Sequence, residues 1–247
     1  MTQGSERERA GDSDSPLFMR SPSVMQPGEV VYLVDDDSSF RDSVAYLLGA
    51  CEMEVISFDS AISFLRYERS DTAACLVLDL QLPEMNGLDL QERLGNSALP
   101  IIFITGHGDI SSSVRAMKAG AIEFLIKPVD GEALIIAVRA ALARDRDNRV
   151  RQAELAELQN RFSLLSPRER EVLPLLVAGY LNKQSAAILG ITEITLQNHR
   201  GQIMRKMAAA SFAELVRMCG ELGIPAAAQR LAGHRRTPLP PRSDGVK

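Results

Sequence analysis

Five residues could carry chemistry in the first half of the chain: Asp35 and Asp36, Asp79, Thr105 and Lys127. The Asp35-Asp36 pair and each of the other three directly follow a short apolar run, namely Val30 to Val34, Cys75 to Leu78, Ile101 to Ile104 and Phe124 to Ile126. If those runs are parallel strands of one sheet, their carboxyl ends share a crevice, and three carboxylates, a hydroxyl and an ammonium meet there. Clustered carboxylates repel one another. The usual remedy is a hard divalent cation such as Mg²⁺, which takes oxygen ligands and accepts phosphate oxygens beside them. A carboxylate left as nucleophile next to Mg²⁺ and a lysine describes formation of an aspartyl phosphate. Singly, each residue has a plainer role, because Asp after a strand caps a helix and Lys-Pro is common in loops. Five of them at the ends of four strands point to a site.

The second half offers a different set. Gln197, Asn198, His199, Arg200 and Gln202 make one helical stretch polar, whereas Ile194, Ile203 and Met207 are expected to face inward. Gln and Asn each form paired hydrogen bonds to adenine, and Arg and Lys serve guanine or phosphate. Gly201 lies in the same stretch, where glycine costs about 1 kcal/mol relative to Ala, so a packing or contact reason is expected for it. Lys183 precedes this stretch and is placed to meet phosphate. A wet face on a helical bundle that binds protein is the plainer alternative.

The elements that must position these residues follow from periodicity. With Val55 to Phe58, the apolar runs make five strands, too continuous for one-sided strands and typical of a parallel sheet covered on both faces. Helical patterns fall between them at Phe40 to Leu48, Ala61 to Arg69, Leu88 to Leu94, Ile110 to Lys118 and Glu132 to Leu142. The expected fold is an α/β doubly wound, five-stranded parallel sheet of the flavodoxin-like kind. The helical pattern then continues to Arg161 without Gly or Pro. Leu155, Leu158, Phe162 and Leu165 begin a heptad seam. Extended backward it meets Arg151, Asn148 and Arg144, so the stripe either pairs with a second chain or rests on its own domain.

Ser166-Pro167-Arg168-Glu169 is a capping box with Pro at the first helical position, and it opens a new domain. Asn182, Thr192 and Ser211 are expected to cap three further helices, Ser211 with Glu214 as a second box. Four short helices with a Gly turn at Leu189-Gly190-Ile191 make an all-α helix-turn-helix domain. The expected organisation is a disordered extension over 1–28, an α/β domain over 29–143, a helical linker over 144–163, the helical domain over 164–224 and a disordered basic tail over 225–247.

Composition agrees with two soluble domains. The 247 residues are 45% hydrophobic and 24% charged, and no apolar run approaches the ~20 residues of a membrane span. The first 28 residues lack the continuous apolar core of a signal peptide. Cys51, Cys75 and Cys219 are odd in number and in no CxxC spacing, which excludes a disulfide scaffold and fits a reducing cytoplasm. The overall charge of −4 hides an asymmetry. Residues 29–132 carry 7 Lys+Arg against 18 Asp+Glu, and residues 133–247 carry 18 against 10. An acidic front suits a cation and a basic rear suits a polyanion.

The motifs together resemble a known family. Val34-Asp35-Asp36-Asp37, Leu78-Asp79-Leu80-Gln81-Leu82-Pro83-Glu84-Met85-Asn86-Gly87, Ile104-Thr105-Gly106-His107 and Phe124-Leu125-Ile126-Lys127-Pro128 are similar to a response-regulator receiver domain. The resemblance implies that Asp79 accepts phosphate from a histidine kinase. It also implies that Asp35, Asp36, Asp79 and the main-chain carbonyl of Gln81 hold Mg²⁺, and that Thr105 and Lys127 contact the phosphoryl group. Phe124 takes the aromatic switch position, the peptide before Pro128 is expected to be cis, and Gln81 and His107 sit where the phosphate's lifetime is tuned. Leu165 to Gly223 resembles the LuxR-type helix-turn-helix, and the two halves joined resemble the NarL/FixJ class. Two residues depart from that pattern: Ser185 replaces a usual Ile, and Gln197 a common Lys.

What the resemblance implies is a cytoplasmic transcriptional regulator that is not an enzyme beyond its own phosphorylation and dephosphorylation. Its partners would be a histidine kinase, operator DNA, RNA polymerase and, once phosphorylated, a second copy, with no membrane. Candidate DNA contacts are Lys183, Thr195, Gln197, Asn198, His199, Arg200, Gly201, Arg205 and Lys206; Val114, Met117 and Ile126 are candidates for the dimer face. The rival reading is a phosphate sink or protein-interaction adaptor whose helical bundle no longer binds DNA.

Overall fold

The computed structural model describes residues 28–95, 99–106 and 110–225; the expected disordered extension and tail, and His107, lie outside or almost wholly outside the described residues. The chain divides into two compact units, residues 1–146 and 147–247.

In the first unit, β1 (Val30–Val34), α1 (Ser38–Gly49), β2 (Glu54–Phe58), α2 (Ala61–Arg66) and β3 (Ala74–Asp79) are followed by α3 (Gly87–Leu94), β4 (Ile101–Thr105), α4 (Ile110–Lys118) and β5 (Glu123–Ile126). All pairings are parallel and the strand order is β2-β1-β3-β4-β5. The chain therefore winds outward in both directions from β1 and β3, whose carboxyl ends flank the crevice where such sheets bind ligands. Every residue of β1, β3 and β4 is buried, because helices cover both faces. The edge strands β2 and β5 are only partly covered, so the two-sided burial expected of all five strands holds for the inner three.

Two apolar layers sandwich the sheet. Tyr32, Phe64, Leu78, Leu90 and Phe103 lie in one, and Leu33, Val77, Ile104, Leu134 and Val138 in the other. Alternation along each inner strand divides its side chains between these layers, leaving only the strand ends for polar groups.

Helix α5 runs unbroken over Gly131–Ser163. Its buried Asp145 accepts the Ala74 N–H through Oδ2 at 2.9 Å, and Arg146 pairs with the buried Glu29. The first unit thus extends beyond residue 143, into the stretch expected to be linker.

The second unit adds α6 (Pro167–Val177), α7 (Asn182–Leu189), α8 (Glu193–Lys206) and α9 (Phe212–Glu221). The Ser166 capping box is formed in both directions, with Glu169 Oε2 accepting the Ser166 N–H at 2.7 Å. Leu158, Leu165, Val172, Leu173, Leu196, Ile203, Met207 and Leu215 build its core. Leu158 and Leu165 are buried and Phe162 packs against the same core, so the stripe beginning at Leu155 rests largely on its own unit.

Three local expectations are corrected. Asn182 is the first residue of α7 rather than its cap; Leu181 takes the cap position, and its N–H is satisfied by Gln184 Oε1 at 3.0 Å. Ser211 caps α9, but the Glu214 carboxylate reaches the N–H of Ala210 instead of Ser211, leaving the second box half formed. Ile194 faces solvent, 73% exposed, while Leu196 takes the buried place in that turn.

Candidate functional site

Strand register brings the first constellation together. Val34 pairs with Leu78, Asp79 with Ile104, and Thr105 with Ile126, so the next residue of each strand opens on the same edge. The carboxylates of Asp35, Asp36 and Asp79 have oxygens within 4.8 Å of one another. Asp35 and Thr105 are fully buried, Asp79 is 6% exposed and Asp36 reaches solvent.

Lys127 joins the acids. Its Nζ donates to Asp35 Oδ2 and Asp79 Oδ2, each at 2.7 Å, and lies 4.3 Å from the centroid of the Phe40 ring. Burial works against the ammonium charge, but the hydrogen bonds to Asp35 and Asp79 outweigh it and hold Lys127 above the ordinary lysine range. For Asp35 the balance falls the other way. Burial raises its carboxyl more than Lys127 and the Asp37 N–H lower it, so it sits above its usual value. The remaining oxygens are also bound: Asp35 Oδ1 accepts the Asp37 N–H at 2.9 Å and Asp79 Oδ1 the Gln81 N–H at 2.8 Å. The peptide before Pro128 is cis, as the resemblance implied.

Asp37, third in its acidic run, does not join the pocket. It caps α1, accepting the Ser39 N–H at 2.9 Å and the Phe40 N–H at 3.3 Å. Phe40 and Arg41 are functional neighbours that sequence reasoning missed; Arg41 Nη1 donates to the Asp35 carbonyl at 2.6 Å. Their position one turn into the helix after the acids was the available signal. Gly87 is a third. A Cβ there would stand 2.6 Å from the Asp79 carbonyl oxygen and 3.0 Å from the Phe103 ring, so only glycine permits this close approach beneath β3. Phe124 is half-buried, its ring 6.4 Å from that of Phe103, and Val114, Met117 and Ile126 are exposed.

The second constellation lies on α8, which Thr192 caps through Thr195 N–H at 3.1 Å. Gln197, Asn198, Gly201 and Arg205 are exposed, as is Lys183 on α7. Thr195, His199, Arg200 and Lys206 are half-buried. Thr195 Oγ1 bonds Thr192 Oγ1 at 2.8 Å, and the Arg200 guanidinium stands 5.0 Å from the Phe212 ring centroid. Lys206 Nζ donates to Glu169 Oε2 at 2.7 Å. Lys183 and Arg200 also line an open depression of about 430 Å³ with Tyr180, Glu193 and Phe212.

The two constellations fall in segments that match two known families. Residues 31–139 match the family described as response regulator receiver domain, and residues 163–219 match bacterial regulatory proteins of the luxR family. Nodulation protein W of Bradyrhizobium diazoefficiens is 48% identical over 199 residues, covering 80% of this chain and 88% of the relative. The chain belongs to the NarL/FixJ class of response regulators. Transcriptional regulatory protein FixJ of Azorhizobium caulinodans is 40% identical, with 78% and 93% of the two chains covered. The solved response regulator StyR superposes with a TM-score of 0.70 at 44% identity, over 78% of this chain and 98% of that one.

This response regulator is a DNA-binding transcriptional regulator of a two-component system, joining a receiver to a LuxR-type domain. Its receiver implies a histidine kinase as partner. Among the described residues, no helix is long and apolar enough to cross a membrane.

Proposed function

We propose that Asp79 is the phosphoryl acceptor of this response regulator and that Asp35, Asp36, Asp79 and the Gln81 carbonyl hold Mg²⁺ beside it. The observation that carries this reading is Lys127 Nζ bridging Asp35 and Asp79 at 2.7 Å. Three carboxylates against one ammonium leave a surplus of negative charge among hard oxygen donors, and a divalent cation fits both features. Mg²⁺, when bound, offsets that surplus so that a phosphoryl dianion can approach. A carboxylate oxygen of Asp79 then attacks the phosphorus of the kinase phosphohistidine. An acyl phosphate forms as the P–N bond breaks, and the histidine leaves with its electron pair. Lys127, relieved of one carboxylate charge at Asp79, is placed to hold the new phosphoryl oxygens together with Thr105.

The new charge has effect only by bonding Thr105 and Lys127 differently in two receiver states. Thr105 drawn toward the phosphate makes room for Phe124 to repack. The face carrying Val114, Met117 and Ile126 then joins a second copy, and two α8 helices meet two half-sites of an operator. Gln197, Asn198, His199, Arg200 and Gly201 read or approach bases, with Lys183, Thr195, Arg205 and Lys206 on the backbone. Lys206 does so only by exchanging its bond to Glu169 for one to phosphate. The protein acts in the cytoplasm, recruits or blocks RNA polymerase, and turns over no substrate but its own phosphoryl group.

Mass spectrometry after incubation with acetyl phosphate tests the acceptor. Mg²⁺-dependent labelling is expected in the wild type and in no amount in Asp79→Ala, while Asp36→Ala binds Mg²⁺ more weakly. Full labelling of Asp79→Ala would remove Asp79 from its role.

A further inference from the structure

We infer that Ile194 reads DNA sequence, its side chain meeting the C5 methyl group of a thymine in the major groove. The inference rests on the DNA-reading role proposed above for the outward strip of α8, and it adds a residue that the apolar pattern of the sequence assigns to the core.

Three observations carry it. First, Ile194 is 73% exposed, although it belongs to a helix whose other large aliphatic residues, Leu196 and Ile203, are fully buried. Ile194 and Ile203 are nine residues apart, and at about 100° per residue that separation points them in opposite directions. Second, Ile194 shares its side of α8 with Gln197, Asn198 and Gly201, spaced three, four and seven residues on, all exposed. The side chain is therefore continuous with the proposed reading strip and stands at its N-terminal end, the end of a recognition helix that reaches base edges. Third, Gly201 has open space around it: a Cβ there would meet nothing within 4 Å. Internal packing thus gives no reason for a glycine in mid-helix. A strip without bulk at its centre lets the helix lie closer to the groove, and a short aliphatic chain reaches a base edge only from such a distance.

The chemistry of the groove selects the ligand. An isoleucine offers no hydrogen bond, and the C5 methyl of thymine is the one apolar group that a Watson–Crick pair presents in the major groove. The neighbouring amides suit adenine, so the strip as a whole favours adenine and thymine at adjacent positions. β-Branching restricts χ1 of Ile194 in a helix, so little rotamer freedom remains to be lost on docking.

Deoxyuridine, which lacks only the C5 methyl, isolates this contact. Full-length wild-type protein with beryllofluoride and Mg²⁺ is used to enrich duplexes from a random library, and each thymine of the enriched duplex is then replaced singly by deoxyuridine. For the wild type, one thymine per half-site should show about fourfold weaker binding on replacement, the value of one buried methyl-sized group. Ile194→Ser should bind the unmodified duplex more weakly and be indifferent to deoxyuridine at that thymine, while Ile194→Val retains the discrimination. Exposure of the residue leaves folding intact, checked by unchanged thermal melting.

If Ile194→Ser binds as tightly as wild type, or keeps the deoxyuridine penalty, the contact lies elsewhere and the inference is wrong. A duplex that is enriched strongly but shows no penalty at any thymine overturns Ile194 alone. No enrichment of any sequence overturns the reading strip, and Ile194 with it.

Discussion

In the receiver pocket Lys127 Nζ holds the buried Asp35 and Asp79 together at 2.7 Å from each. On α8 the exposed Ile194, Gln197 and Asn198 are positioned by the helix beneath them, through Leu196, Ile203 and Met207 buried on the other side. The first region is arranged before its ligand arrives, because charge chemistry needs groups fixed where charge will develop. The second projects side chains outward, as the proposed reading of base edges beyond the protein surface requires. Loss of one pocket residue should therefore disturb the fold around it, whereas loss of one reading residue should disturb only the complex.

The largest expected effect is at Lys127. Lys127→Met leaves Asp35 and Asp79 facing each other without their shared cation, and removing one partner of a buried pair costs about 3–5 kcal/mol. Chemical denaturation in EDTA should show that loss, and Mg²⁺ should restore more stability to this variant than to wild type. A variant as stable as wild type without metal would mean that the pocket is not held by its own charges.

On the reading strip, Gln197→Ala or Asn198→Ala should leave stability unchanged and cost about 1–3 kcal/mol at an enriched duplex, with little change on random DNA. Lys183→Ala should weaken both alike and reduce the salt slope by about one unit. Anisotropy titrations at two salt concentrations measure these differences. Equal losses on both DNAs for Gln197→Ala would turn that residue from a reader into a backbone contact.

The smallest effect separates the two regions within one residue type. Gly201→Ala should stabilise the free protein by about 1 kcal/mol, since the helix gains propensity and the Cβ meets nothing, yet weaken operator binding. At Gly87 the same substitution should destabilise by about 1–3 kcal/mol, because its Cβ would strike the Asp79 carbonyl and the Phe103 ring. Thermal melting of both variants decides the matter; the same sign at both glycines would break the contrast.

The pocket was legible because its residues sit at the ends of apolar runs, and runs reveal strand ends without knowledge of their packing. Which acid does what was less so. Asp35, Asp36 and Asp37 are chemically alike, and only backbone direction after β1 sends the third to cap α1. Phe40 and Arg41 were signalled only by their place one turn after the acids, and the support from Gly87 depends on distances across elements, which spacing along the chain does not reveal. On α8 the inward expectation for Ile194 failed because apolar burial is a one-way rule: buried positions are mostly apolar, but apolar residues also occupy surfaces. Asn182 failed as a cap for a different reason. Gln184 already satisfied the orphan N–H at Leu181, so the helix began one residue earlier than a capping Asn would allow.

Coupling between the two units is the claim on which the biology turns, and anisotropy of one labelled, enriched duplex titrated with full-length protein measures it. Beryllofluoride with Mg²⁺ should tighten wild-type binding by about 5- to 150-fold, the span of a typical coupling free energy. It should leave Asp79→Ala unchanged. Wild-type affinity that ignores beryllofluoride, or equal tightening in Asp79→Ala, would contradict control of DNA binding by a phosphoryl group on Asp79.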